Sequence, residues 1–272
     1  MKWLVSAPFW ASCFLATVSF LAMAAPLLPI KDPYVQEWRE RLQPPSVEHW
    51  FGTDDLGREL FSRVVHGGRY SLFIGVLAVG LALLVGAPMG MLGGYTGGWV
   101  DRLLASTTEV LLAVPGILIA LVTIAVLGPG LFNVMIAVGL SQIPHYARQA
   151  RASALAVRSQ EYVLASRLAG SSHVRVLWNH VLPNVAAPVL VLATMGLGSA
   201  ILEAAALSFL GLSGDPNRPE WGNMLQLTRE RFADQPWLVV VPGLAITGSV
   251  LSFNILGDWI RDRLDPKLQG RG

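Results

Sequence analysis

Apolar residues in this chain gather into long, nearly uncharged runs separated by polar stretches, with no regular alternation. Six runs stand out: residues 8–28, 71–92 and 237–257 carry no Asp, Glu, Lys or Arg, 131–147 carries none but is short, 103–127 carries only Glu109, and 185–210 only Glu203. A helix needs about 20 apolar residues to cross a bilayer. The pattern therefore predicts an all-α membrane protein of about six transmembrane helices. Run 131–147 is expected to continue as helix beyond the bilayer. One such run could be a buried core helix; six together exclude a soluble globule with dispersed apolar residues.

Composition agrees. Of 272 residues 53% are hydrophobic and 14% charged, against about 25% charged in soluble domains, and the mean hydropathy is +0.51. Charge placement adds direction. The stretch 148–183 holds Arg148, Arg151, Arg158, Arg167 and Arg175 against Glu161 alone. Such loops stay cytoplasmic, so both termini are expected inside, in agreement with Lys2 and with Arg261, Arg263, Lys267 and Arg271. The outer segments 29–70 and 213–236 are near balance, with six basic against seven acidic residues and three against four. Ala22-Met23-Ala24 resembles a signal cleavage site after an apolar run. Cleavage would leave five spans with the same loop inside; an uncleaved first helix is the preferred reading. Cys13 is the single cysteine and permits no intrachain disulfide.

The polar segment 161–183 reads as helix, turn, helix, stop. Gly170 suits a left-handed helix end, Ser171 and Ser172 can cap the next helix, Pro183 is expected to close it, and Val174, Leu177 and Val181 fall on one helical face. The segment resembles the coupling loop of ABC importer permeases, whose pattern is Glu-Ala-Ala, three residues, Gly, nine residues, Ile, one residue, Leu-Pro. Here the matching positions are Leu164-Ala165-Ser166, Gly170, His180 and Leu182-Pro183. The spacing fits; Leu164, Ser166 and His180 depart, and Glu161 stands one turn before the missing acid. Residues 49–72, 204–224 and 253–268 extend the likeness to the "C"-type permeases of the dipeptide, oligopeptide and nickel importers. Ser213-Gly214-Asp215-Pro216 departs from the Gly-x-Gln-Pro-Pro run expected after Leu212.

The resemblance implies a type I ABC importer permease fold, with residues 1–70 as first helix and outer segment, 71–257 as permease core and 258–272 as cytoplasmic tail. It also implies a multi-pass protein of the bacterial inner membrane. Its partners would be a homologous second permease, two ATP-binding subunits that hold ATP and Mg, an extracytoplasmic substrate-binding protein and the lipid bilayer, with no nucleic acid. Residues Glu161, Ala165, Ser166, Gly170, Val174, Leu177, Leu182 and Pro183 would carry coupling. Asp54, Gly57 and Arg58 would lie near the outer gate. The implied cargo is a di- or oligopeptide, or alternatively nickel or a metal chelate.

Other features change the picture little. Residues 52–57 lack the ligand pattern of a calcium loop and read as a structured outer turn. The glycine-rich 93–98 lacks a Lys-Ser/Thr ending and reads as a flexible turn. Gly86 and Gly90 have small-xxx-small spacing. Glu109, roughly 10 Å in from Asp101 at 1.5 Å per residue, and Glu203 either line the pathway or are braced between helices. Pro88, Pro115 and Pro242 can bend their helices. His145, His173 and His180 have no ligand spacing, and His49 and His66 stand isolated. No catalytic signature or Walker motif is present, so the chain is not expected to be an enzyme. The alternative from a different class, a secondary transporter, would need midplane ion-coupling groups and usually a repeat. The halves show no repeat and the spans hold only two carboxylates; ATP dependence of uptake in vesicles separates the two readings.

Overall fold

The computed structural model describes residues 2–264, so Lys267 and Arg271 of the expected tail lie outside the described residues. It is a helical bundle with no strand among those residues. Helix α1 (Lys2–Ala24) is followed by an irregular segment that leads into α2 (Leu60–Thr96), α3 (Gly98–Ala113) and α4 (Gly116–Leu127). Then come α5 (Leu131–Arg158), α6 (Glu161–Leu168), α7 (His173–Val176) and, after a π turn, α8 (Leu182–Phe209). Short α9 (Trp221–Thr228) and long α10 (Trp237–Leu264) complete the chain.

Four helical stretches are long and apolar enough to cross a membrane, and a fifth counts if α3 and α4 form one span. Helix α5 is long, but from residue 142 onward it carries Gln142, His145, Arg148, Gln149 and Arg151. It runs unbroken past the apolar stretch to Arg158, as the shortness of run 131–147 predicts. Helix α10 continues past Gly257 to Leu264, so the segment expected as tail begins as helix.

The run 103–127 is not one helix. It breaks at Val114 and Pro115, and α3 meets α4 at 92°. Proline removes a backbone donor and clashes with the residue before it, pushing that residue to extended geometry; Val114 has φ −93° and ψ 130°. Pro88 and Pro242, by contrast, lie inside unbroken helices.

Helix α2 packs most extensively on α5. The contact is made by small side chains about every fourth residue on α2: Ala78, Ala82, Gly86, Gly90 and Gly94. Farther along the helix, Gly75 meets Ile201 and Leu197 of α8, and Ser71 bonds Glu220 beside α9. Small residues let helix backbones approach within van der Waals reach, which supplies association where apolar burial cannot. A Cβ on Gly86 would lie 2.5 Å from the Ile143 carbonyl oxygen, on Gly90 1.9 Å from that of Ala147, and on Gly94 2.6 Å from that of Arg151. Gly93 and Gly94 are therefore helical, Gly94 in this seam and Gly93 against Leu104 of α3; the turn expected over 93–98 is limited to Gly97 and Gly98, both at positive φ. Ile74 and Val79 of α2 and Val134 and Val138 of α5 belong to the main core. A second cluster joins Leu60, Ile201, Trp221, Leu238 and Ile246 at the α9 end.

Candidate functional site

The segment 161–183 stands at one end of the bundle, beside the C-terminal end of α2. Glu161 is in the first turn of α6, where a carboxylate favours the helix dipole. Val163 is fully buried and anchors α6. Ala165 accepts from the Ala169 N–H at 2.9 Å as the helix ends. Gly170 then takes φ +85°, and nothing lies within 4 Å of a Cβ built on it. Its openness means that any close approach at Gly170 must come from outside this chain. The Ser172 hydroxyl accepts from the Arg175 N–H at 3.3 Å and caps α7.

Two sequence expectations fail here. Pro183 does not close a helix: it lies in the first turn of α8, where its missing N–H leaves nothing unsatisfied. The helical path runs continuously from His173 to Phe209 through the π turn Leu177–Val181. Nor do Val174, Leu177 and Val181 share a face. Val176, Val181 and Val185 point inward with Leu177 half-buried, whereas Val174 is 64% exposed. A π turn holds more residues than an α turn, so the inward spacing widens to five between Val176 and Val181. Leu182 is half-buried where α8 begins.

The outward side is apolar. Leu168 is 90% exposed, Trp178 66%, and Tyr162 and Leu164 about half. The charged residues Glu161, Arg167 and Arg175 are exposed in the same segment. Inside it, two departures from the importer pattern meet: His180 Nε2 is 3.2 Å from Ser166 Oγ, which donates to Ser171 Oγ at 3.1 Å. The Tyr162 ring stacks edge-on to His180. His173 Nδ1 lies 3.1 Å from Tyr95 OH at the end of α2. Sequence spacing could not reveal these pairs, since Tyr95 and His173 are 78 residues apart.

The same end is tied by Arg151 and Asp101. Arg151 donates to both carboxylate oxygens, at 2.6 and 2.9 Å, joining α5 to α3. Bidentate pairs are the strong kind. Removing both partners should cost less than the sum of the single losses. A coupling of about 1–2 kcal/mol is expected from thermal unfolding of Asp101→Ala, Arg151→Ala and the double variant in detergent; additive losses would show the pair to be inert.

The two intramembrane carboxylates differ. Glu203 is half-buried, accepts from Ser141 Oγ at 3.4 Å and also bonds Gln142. Its Oε1 lies 3.1 Å from the position of a Cβ on Gly116, at the positive N-terminal end of α4. It is thus braced between α8, α5 and the break at Pro115. Glu109 is exposed on α3 and has no such brace among the described residues.

At the opposite end of α2, Asp54 and Arg58 hold a compact turn. Asp54 accepts from the N–H groups of Leu56 and Arg58 at 2.9 and 3.0 Å and from Arg58 Nε at 2.7 Å. Gly57 has φ +74°, with the Glu37 carbonyl where a Cβ would stand. Arg58 reaches Asn217 at 3.3 Å. His49 is not isolated: it is buried, with Nδ1 2.7 Å from Glu59 Oε2. His66 Nδ1 lies 2.9 Å from the Ser62 carbonyl. Glu220, fully buried, accepts from the N–H groups of Gly222 and Asn223 at 2.9 and 2.8 Å and from Ser71 at 3.3 Å, tying α9 to α2. Burial pushes its carboxyl above the usual range. Arg63 and Glu220 were missed in the sequence; a charge at the start of a long apolar helix is the signal that Arg63 carries.

Residues 86–270 match the family described as "Binding-protein-dependent transport system inner membrane component". The chain is 44% identical over 249 residues to a dipeptide transport system permease protein, DppC, of Alkalihalophilus pseudofirmus, covering 92% of this chain and 82% of that one. It is 42% identical to the di/tripeptide permease DppC of Pseudomonas aeruginosa, covering 94% and 86%. It is 46% identical to the glutathione permease GsiD of Escherichia coli, covering 83% and 75%. In fold it is similar to a chain of the inward-facing MetNI methionine ABC transporter, with a TM-score of 0.63 at 16% identity, covering 75% of this chain and 97% of that chain.

Proposed function

Because the chain belongs to the binding-protein-dependent transport system inner membrane component family, we propose that it is one permease subunit of an ATP-driven importer of di- or oligopeptides. Family membership and the relatives named for dipeptide and glutathione transport support this reading. The observation that carries it is the helix–turn–helix at 161–183, with its outward apolar face and its open glycine at φ +85°.

In this reading the chain crosses the inner membrane six times, α3 and α4 together forming one broken crossing, with both termini and 161–183 in the cytoplasm. A homologous permease completes the pathway. Two ATPase subunits bind ATP and Mg, and this chain hydrolyses nothing. Leu168, Val174 and Trp178 enter a groove on one ATPase, as apolar anchors of a docked helix do, and Glu161, Ala165, Ser166, Leu182 and Pro183 set the geometry of that contact. When the ATPases close, the displacement reaches α2 through Tyr95 and α8 through the π turn. A binding protein delivers peptide at the Asp54 and Arg58 end. Glu109 faces the pathway or the second permease, and Glu203 braces the break.

Uptake of labelled dipeptide and labelled nickel, compared in cells lacking this chain and in the complemented strain, tests the proposal. Loss and rescue of dipeptide uptake alone is expected. Unchanged dipeptide uptake would refute the peptide reading.

A further inference from the structure

Arg63 sits in the first turn of α2 and is 1% exposed. Its Nη1 donates to the carbonyls of Pro33 and Asn217 at 3.0 and 3.3 Å, and its Nε is 3.5 Å from Asp54. Its Nη2 has no hydrogen-bond partner. A buried guanidinium N–H left unpaired is costly, and this one belongs to a side chain that lines a cavity of about 330 Å³.

The surroundings are short of one negative charge. Asp54 faces both Arg58 and Arg63, at 2.7 and 3.5 Å, while Asp55 is held by Arg231 at 3.1 Å. Asp215 and Arg218 offset each other nearby at 4.0 Å. Arg58, Arg63, Asp54 and Asp55 line the cavity; with Arg231, which holds Asp55 from outside the lining, three guanidiniums meet two carboxylates. The facing wall is apolar, built from Leu60, Pro216, Met224 and Leu227. A volume of this order is at the small end of ligand sites.

We propose that this cavity is a carboxylate-recognition pocket that receives the C-terminal residue of the transported peptide. The inference rests on the peptide-importer reading above. Arginine matches a carboxylate through paired N–H groups, and Arg63 Nη2 is the unpaired donor. It is sealed from the cavity in this conformation, so the wall beside it must give way for a carboxylate to reach it. A peptide's last residue carries its carboxylate and its side chain on one carbon, so the first can meet Arg63 while an apolar side chain covers Met224 and Leu227. An acidic side chain from a docked protein would satisfy the charge but leave the apolar wall uncovered. The pocket therefore favours free C-termini with apolar last residues.

The test uses the complete transporter in proteoliposomes and a dipeptide ending in benzoylphenylalanine, at concentrations that saturate the binding protein. On illumination, adducts are expected at Met224 or Leu227. The C-terminal amide should give about tenfold fewer, the loss of one charged hydrogen bond. Leu227→Glu places the chain's own carboxylate beside the guanidiniums and should abolish labelling. Leu227→Gln, the same size without charge, should retain it. Equal labelling by the amide, or equal loss in both variants, overturns the proposal. So does ATP-driven uptake of the probe with no adduct in the cavity, the result expected if a side chain of the binding protein fills it. Uptake of an unmodified dipeptide in the same vesicles separates the failures: without it, the importer reading falls too.

Discussion

Gly170→Trp is expected to abolish ATP-driven uptake while the protein remains folded in the membrane. Both halves follow from one geometry. Within this chain a side chain at 170 meets nothing, so the fold bears only the cost of a left-handed backbone, about 1–2 kcal/mol. That is a modest part of a domain's typical 5–15 kcal/mol. The damage must then come from whatever docks over the turn between α6 and α7. Gly170→Asn separates strain from bulk, since asparagine tolerates the left-handed region; it should keep much of the activity. Wild-type transport by Gly170→Trp would remove 161–183 from the coupling path. The measurements are peptide uptake and the amount of membrane-inserted protein.

Gly90→Val should fail in the opposite way, by loss of folded protein. Its Cβ would stand 1.9 Å from the Ala147 carbonyl oxygen and 2.7 Å from the carbonyl carbon. Backbone cannot rotate aside as a side chain does, so α2 must lift off α5 along the largest helix interface of the bundle. Overpacking costs about 1–3 kcal/mol and more when backbone must move, to which the lost contacts of neighbouring Gly86 and Gly94 add. Low yield on size-exclusion in detergent and a clearly lowered Tm are expected. Gly80→Ala is the control: the same helix, nothing within 4 Å of the new Cβ, and better helix propensity by up to about 1 kcal/mol. A wild-type Tm for Gly90→Val would mean the seam is not tightly closed.

Much of the bundle is legible as apolar length, because the bilayer demands about 20 apolar residues whatever the tertiary packing. What length cannot convey is direction. The stretch across Val114 and Pro115 reads as continuous, yet the chain turns by 92° there. At 161–183 the turn was legible because Gly170 has a local backbone cause. The inward face was not, because the π turn shifts the register between Val176 and Val181 and no residue announces it. Gly86 and Gly90 carried the right signal, weak until Gly94 and the α5 carbonyls joined it. Pairings such as Ser166 with His180, or Arg63 with Asn217, depend on tertiary approach and are invisible to spacing.

The glycine seam also sets the mechanics of α2. The helix is one rod of 37 residues, and the seam holds it to α5 from Ala78 to Gly94, about 24 Å at about 1.5 Å per residue. Contact over that length leaves no single pivot, so α2 and α5 shift as one body. In the importer reading, a push at the His173 contact with Tyr95 would then arrive at the Leu60 end, about 50 Å away at that rise, with little lost to side-chain rearrangement.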